Sequence, residues 1–323
     1  MSEFRVQVVR LGPIEKHPNA DSLSVTRVLG DYPVILRTGE YQPGDLAVYV
    51  PIDSVVPADE ARWAFLGDQR RIKARRLRGI FSMGLLTPVE PGFAEGDEVR
   101  EALRITKWEP PLPPLAEGED EAGESPMPAY TDIEGLRRWP DVLQAGEEVV
   151  ATEKVHGANG RFVFVDGRLW VGSRTRLKRE SPGSLWWRAA HQHSLAEKLA
   201  AHPGVALYGE VYGAVQDLRY GARPNEVRLI LFDALDTRTM RYLDYDDFTA
   251  LAARLGLPVV PVLHRGPWGD EVRALANGAS TLPGAAHTRE GFVVRPTKER
   301  WHPLLGRVVL KLIGEDYLLR KGA

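Results

Sequence analysis

The chain has no cysteine among its 323 residues. That excludes disulfide frameworks, thiolate zinc sites and cysteine nucleophiles, and it fits a cytoplasmic home. No stretch approaches the roughly 18 consecutive apolar residues of a membrane span, so no membrane partner is expected. The start, Met1-Ser2-Glu3-Phe4-Arg5, lacks the basic region and apolar run of a signal peptide. Charge of either sign is not in large excess: 42 Lys and Arg stand against 44 Asp and Glu, a net of −2. A protein coated in positive charge is thereby excluded. There is also no βαβ rhythm and no Gly-rich dinucleotide loop, which argues against a doubly wound nucleotide-binding fold.

What is present is the balance of a globular protein, 43% apolar and 27% charged residues. Residues 111–129 hold five acids and no base, between Pro110-Pro111-Leu112-Pro113-Pro114 and Ser125-Pro126-Met127-Pro128. Prolines remove backbone donors and the acids deny the stretch a core, so it reads as a solubilising linker. The expected domains are therefore 1–110, the linker 111–129, and 130–323.

Before the linker, short apolar runs such as Phe4–Val8, Val34–Arg37 and Leu46–Val50 are separated by Gly, Pro and Asp turns, the pattern of a small β-barrel. After it the pattern is mixed. Phe162–Val165, Asp166-Gly167 and Arg168–Val171 predict a hairpin with a tight primed turn. Ser184–Ala201 and Asp246–Leu255 predict helices. The second domain is thus expected to be α+β, antiparallel sheets with helices. Trp186-Trp187 reads as core packing, and His191-Gln192-His193 as a solvated helix end rather than a metal site.

Charge is concentrated locally. Arg70, Arg71, Lys73, Arg75, Arg76 and Arg78 place six cations in nine residues. Beside a barrel pattern, such a run is expected to meet the phosphate backbone of RNA.

The second concentration of chemistry is Ala151-Thr152-Glu153-Lys154-Val155-His156-Gly157. The apolar run Val149-Val150-Ala151 delivers Lys154 to a strand end followed by a glycine. A lysine amine becomes a nucleophile when it is deprotonated, which desolvation or nearby cations achieve. Five segments follow in order: Ser173-Arg174, Leu207-Tyr208-Gly209-Glu210, Leu229-Ile230-Leu231-Phe232-Asp233, Glu290-Gly291-Phe292-Val293-Val294 and Val308-Val309-Leu310-Lys311-Leu312. This series resembles the motifs of the covalent nucleotidyltransferases, the ligases and capping enzymes. Glu-Lys-Val-His-Gly is more similar to RNA ligases than to DNA ligases. In the first domain, His17-Pro18-Asn19-Ala20-Asp21-Ser22-Leu23 resembles the OB-type tRNA-binding modules. With Gly44–Pro51, Ile72–Gly79 and Tyr130-Thr131-Asp132, it extends the resemblance to the ATP-dependent RNA ligases of the Deinococcus and Naegleria type, over nearly the whole chain.

The resemblance implies an OB-like barrel joined to an adenylyltransferase domain that seals 3′-hydroxyl/5′-phosphate breaks. It implies a nicked duplex of RNA, or of RNA with DNA, as partner, with RNA on the 3′-hydroxyl side; a monomer is expected, although the sequence does not fix the oligomeric state. Lys154 would carry AMP. Arg174 would lie near the phosphate and ribose, Glu210 on the ribose hydroxyls and Phe232 against the adenine face. Glu290 would enter the shell of Mg²⁺ or Mn²⁺, Lys311 would meet the α-phosphate, and Glu153 would read the adenine edge through backbone or carboxylate. His156 stands where many relatives carry aspartate. The last motif has a single lysine, with Arg320 or Lys321 as candidates for the second cation. A DNA ligase and a non-catalytic RNA-binding protein are the alternatives. A covalent protein–AMP adduct separates the latter from the enzymes.

Overall fold

A computed structural model describes residues 4–109, 120–123 and 125–320. The chain forms two compact units: residues 1–111, 134–141 and 315–323, and residues 112–133 and 142–314.

The first unit is built of short antiparallel strands. Gln7–Arg10, Leu46–Val50 and Leu85–Pro88 form one sheet with Leu46–Val50 central. Ile14–Lys16, Leu23–Val28 and Tyr32–Arg37 form a second. Val8 and Val9 are both buried although they point to opposite faces, as expected of a strand covered on each side. Val8, Val48, Val50, Trp63 and Ile72 line one cluster; Val9, Val34, Ala47 and Tyr49 line the other. The closing helix, Glu315–Leu319, belongs here. Its Leu318 and Leu319 pack with Ala74, Phe81 and Met83.

The second unit holds two antiparallel sheets. In the first, the strands run Arg168–Gly172, Ala158–Val165, Val205–Gly213, Val227–Asp236, Arg241–Tyr242. In the second, Leu310–Ile313, Gly291–Pro296, Glu148–Glu153 and Val262–Pro267 run side by side. Helices cover the first sheet through a core of Leu185, Leu199, Leu207, Leu229 and Phe248. The architecture is α+β, as expected. Asp166 and Gly167 both take positive φ, 53° and 77°, in the hairpin turn, and the second expected helix spans Tyr245–Leu255.

Two expectations need correction. The helix expected over Ser184–Ala201 is two helices, Leu185–Gln192 and Leu195–Ala200. Ser194, at φ 50°, interrupts them in the left-handed region. Trp186 and Trp187 are both buried, and their indole N–H groups donate to the carbonyls of Asn159 and Lys178. Most of the expected linker lies outside the described residues, but what is described of it is docked. The Glu121 N–H donates to the Leu177 carbonyl, Asp120 pairs with Lys178 at 2.7 Å, and Met127 is buried beside Tyr130 and Tyr208. The prolines rule out a regular ladder there, but one apolar side chain and one paired acid suffice to fasten the segment.

Candidate active site

The strand Glu148–Glu153 is buried along most of its length and delivers Lys154 beside Gly291, whose carbonyl accepts the Lys154 N–H at 3.0 Å. Ladder pairing therefore puts Lys154 next to Glu290, 136 residues away in sequence, and their side chains meet at 3.0 Å. Gly291 is needed at that point. Its φ is +154°, and a Cβ there would lie 2.0 Å from the Leu312 carbonyl oxygen.

After Lys154 the chain crosses to the other sheet, where Asn159 pairs with Glu210. Gly157 makes this crossing possible. A Cβ at Gly157 would come within 2.3 Å of the Val211 carbonyl oxygen and 3.1 Å of Glu210 Cγ. The glycine of the lysine motif is thus a close-approach residue that brings Glu210 into electrostatic range of Lys154.

The result is a compact set of opposed charges. Burial works against the Lys154 ammonium, but the Glu290 and Glu210 carboxylates outweigh it and hold its pKa above the ordinary value. In this arrangement the two carboxylates therefore favour the ammonium over the neutral amine that attack requires. Burial also works against ionised Glu290, yet Lys154 and His156 overcome it and lower its pKa to about 2. Glu210 goes the other way. Burial, with Glu290 adding to it against the pull of Lys154, raises it to about 7. Of the two carboxylates, Glu290 keeps the charge.

His156 is clasped from both sides. Its Nδ1 lies 3.4 Å from Glu290 and its Nε2 3.1 Å from Asp217, while its backbone N–H donates to the Tyr220 hydroxyl at 2.7 Å. Neither Asp217 nor Tyr220 was singled out from the sequence. They sit in a loop with no periodic pattern, so no local signal marks them.

The remaining expected residues distribute as follows. Lys311, Val293 and Thr152 are directly paired across three neighbouring strands and so share one sheet face, the face on which Lys154 follows two residues after Thr152. Phe232 occupies the β-bulge of its strand. The register passes from Tyr208↔Asp233 to Gly209↔Leu231, leaving Phe232 without a partner. Bulges of this kind re-aim a side chain beside active sites. The Phe232 ring meets the edge of Tyr130 at 4.9 Å. Arg174 follows the hairpin and pairs with Asp132.

Glu153 is a different case. It is buried, and its carboxylate accepts from Ser280 Oγ at 2.5 Å and from both the N–H and the hydroxyl of Thr281 at 2.6 Å. Its carboxylate is therefore engaged in holding the Ser280-Thr281 loop, and its backbone N–H donates to the Pro261 carbonyl at 2.8 Å. Of the candidates for a second cation in the last motif, Arg320 follows the helix Glu315–Leu319 of the first unit and stacks on its Tyr317 at 4.1 Å. Lys321 lies outside the described residues.

The six clustered cations also divide. Arg71 bonds Asp53 at 2.6 and 3.0 Å and stacks on Trp108 at 3.3 Å. Arg76 pairs with Glu315 at 2.9 Å. Arg70 is half-buried and reaches the Trp63 carbonyl. Lys73, Arg75 and Arg78 are exposed.

The RNA ligase family profile matches residues 147–313, a span that starts before Lys154 and ends after Lys311. The chain belongs to the RNA ligase family. An OB-fold domain profile matches residues 5–89. The protein is similar in structure to the Naegleria gruberi RNA ligase with PPi, at 26% identity and a TM-score of 0.83, over 98% of each chain. An arginine-to-alanine variant of that ligase with ATP and Mn gives the same figures. A glutamate-to-alanine variant with AMP and Mn is 25% identical at a TM-score of 0.83. Among curated proteins no relative matches the sequence. Among the described residues, no helix of this RNA ligase family member is long and apolar enough to cross a membrane.

Proposed function

We propose that this protein is an ATP-dependent RNA ligase that works through AMP carried on Lys154. The observation that carries the reading is the meeting of Lys154 and Glu290 at 3.0 Å, beside Glu210, on a fold similar along its whole length to a ligase captured with ATP, with AMP and with PPi.

In the first step the Lys154 amine attacks the α-phosphorus of ATP. A phosphorus–nitrogen bond forms, the α–β bridging bond breaks, and pyrophosphate leaves. The nucleophile must first lose a proton, and the two carboxylates oppose that loss. Loosening of the Lys154–Glu290 pair when nucleotide enters removes the carboxylate that holds the ammonium, and its proton then passes to water. Lys311, two strands away on the same sheet face, supplies positive charge for the phosphoryl oxygens. Arg174 meets phosphate and ribose, Glu210 the ribose hydroxyls, and Phe232 the adenine face.

The site fits a divalent cation that arrives with nucleotide. Among the described residues no three His, Asp or Glu side chains converge as a ready-made metal cage. Mg²⁺ and similar cations are commonly held by one or two carboxylates plus substrate phosphates. Glu290, ionised even at low pH, would hold it, and the cation would neutralise charge on the phosphate oxygens.

In the second step an oxygen of an RNA 5′-phosphate displaces Lys154 from AMP. In the third, a 3′-hydroxyl attacks that 5′-phosphate and AMP leaves. The substrate we infer is a nicked duplex with RNA on the 3′-hydroxyl side, because a terminal 2′-hydroxyl favours A-form sugar geometry and adds a donor and acceptor that DNA lacks. The protein is proposed to act as a monomer in the cytoplasm.

Incubation with labelled ATP and Mg²⁺ should give a covalently labelled protein, and Lys154→Ala should give none. A labelled band in that variant would refute the assignment. A panel of nicks with RNA or DNA on each side then separates RNA from DNA sealing. Equal rates on all four would place the protein with the DNA ligases.

A further inference from the structure

We propose that the hairpin Arg75–Ser82 in the first unit grips the phosphate backbone of a polynucleotide, and that His17 and Asn19 hold its tip in place. Only the identity of the polynucleotide as RNA rests on the ligase reading.

The hairpin pairs Arg75–Leu77 with Ile80–Ser82. Arg78 and Gly79 form its two-residue turn, at φ 45° and 92°. Both positive values mark a primed turn, a conformation that an arginine rarely adopts unaided. The aid comes from about sixty residues earlier in the chain. The Asn19 side-chain amide donates to the Arg78 carbonyl at 2.9 Å. The Asn19 backbone N–H donates to His17 Nδ1 at 3.0 Å, so the ring proton sits on Nε2, which donates to the Leu77 carbonyl at 3.1 Å. His17 is 1% exposed. The stretch His17–Leu23 thus acts as a clamp for the tip of this hairpin. The other end is anchored by buried Phe81 and by the Arg76–Glu315 pair.

What the clamp presents is uncompensated charge. Arg10, Arg27, Arg62, Arg71 and Arg104 of the same unit each pair with a carboxylate. Lys73, Arg75 and Arg78 are exposed, and among the described residues no carboxylate pairs with them; Arg75 bonds the neutral side chain of Gln69 at 2.9 Å. Arg75 and Arg78 on the braced hairpin, with Lys73 just before it, suit a ligand with regularly repeated negative charge. A polynucleotide backbone on an OB-fold unit meets that description.

The test is equilibrium binding of the full chain to a labelled nicked RNA duplex, without ATP, over a range of salt. Each lost phosphate contact should lower the slope of log affinity against log salt by about 0.9. Arg75→Ala/Arg78→Ala should therefore flatten it by about 1.8. Arg10→Ala/Arg104→Ala removes the same charge from arginines already paired and should leave the slope unchanged. Asn19→Ala changes no charge, so a several-fold loss of affinity in a variant that melts like wild type would report lost aim of the tip. Equal slopes for wild type and Arg75→Ala/Arg78→Ala would overturn the proposal, as would equal flattening by the two double variants. So would loss of polyglutamate binding with RNA binding intact, which would assign the hairpin to an acidic protein. Wild-type Asn19→Ala affinity would remove the clamp from it. If wild type forms no AMP adduct, the ligase reading fails while the slope comparison still decides the hairpin.

Discussion

The two units handle charge in opposite ways. In the first, the cations proposed for function stand exposed and uncompensated on a hairpin whose backbone is braced from behind. In the second, Lys154, Glu210, Glu290 and His156 are packed together around the 3.0 Å Lys154–Glu290 pair. Exposed charges act at long range and are screened by salt. Packed charges act at short range, and removing one leaves its neighbour without a partner in a poorly solvated place. One unit is suited to gathering a long polyanion, the other to stabilising a few atoms during bond exchange.

The sharpest way to break this contrast is to remove single charges from the second unit and follow AMP transfer. Glu290→Ala deletes the carboxylate proposed to hold the divalent cation and Lys311→Ala the cation proposed for the phosphoryl oxygens, so each should slow adduct formation by about 10²–10³-fold. Circular dichroism should show both variants folded. A Lys311→Ala enzyme that labels at the wild-type rate would remove that residue from the α-phosphate.

The next effect is on stability, in a buried cluster beneath Phe232. Asp233 is fully buried and receives Arg295 at 2.9 Å, Arg307 at 2.7 Å and the Tyr130 hydroxyl at 2.8 Å. Glu299 completes the shell of Arg307. Burial alone would raise the Asp233 pKa, but the Arg295 and Arg307 guanidiniums outweigh it and hold it below the ordinary value. Arg307→Met strips one of two cations from a buried carboxylate and should cost about 3–5 kcal/mol in urea denaturation. The sign of the pH dependence follows. A depressed folded pKa gives stability that is fully present above the unfolded value of about 3.9 and is lost as pH falls through the lower folded value. Wild type should therefore lose this contribution as pH falls below the unfolded value of about 3.9, and Arg307→Met should lose less there because its Asp233 is less depressed. Parallel acid limbs for the two proteins would show that the cluster is not what the pH dependence reports.

The same contrast explains what the sequence made legible. The barrel of the first unit showed in alternating runs such as Phe4–Val8, and the hairpin turn in Asp166-Gly167, because both are local. Lys154, Glu290 and Lys311 stood out through a resemblance in motif order, and their convergence follows from ladder pairing that periodicity could not have given. The break at Ser194 was not legible, since a left-handed serine has no sequence mark. Asp217 and Tyr220 were missed because they act by packing against His156 from a patternless loop. For Glu153 the sequence left backbone and carboxylate open as the group that meets the adenine edge; in the fold three bonds to Ser280 and Thr281 occupy the carboxylate, and only the fold shows that such a loop lies beside it. Where function lies in an exposed run, composition finds the region, and only the structure says which of its members are available.

The smallest effect separates two arginines only four residues apart. Arg71 and Arg75 belong to one basic run, and by composition they are equivalent. In the fold Arg71 donates twice to Asp53 and lies flat on Trp108, with 16% of its side chain exposed, whereas Arg75 stands in solvent. A charge-assisted hydrogen bond contributes about 1.5–3 kcal/mol and a cation–π contact about 0.5–1 kcal/mol at an exposed site. Asp53 is 40% exposed, so solvent screens the ion pair, and the lower end applies. Arg71→Ala should thus destabilise the protein by about 1–2 kcal/mol, partly through lost stacking that salt does not screen. Arg75→Ala should stay within about 0.5 kcal/mol of wild type, as a surface substitution away from any cap or core. Binding should show the reverse order, because Arg71 already spends its donors on Asp53 and Arg75 does not. If Arg71→Ala weakens RNA binding as much as Arg75→Ala while leaving stability untouched, the run acts as one undivided patch and the distinction between braced and presented charge fails within the first unit.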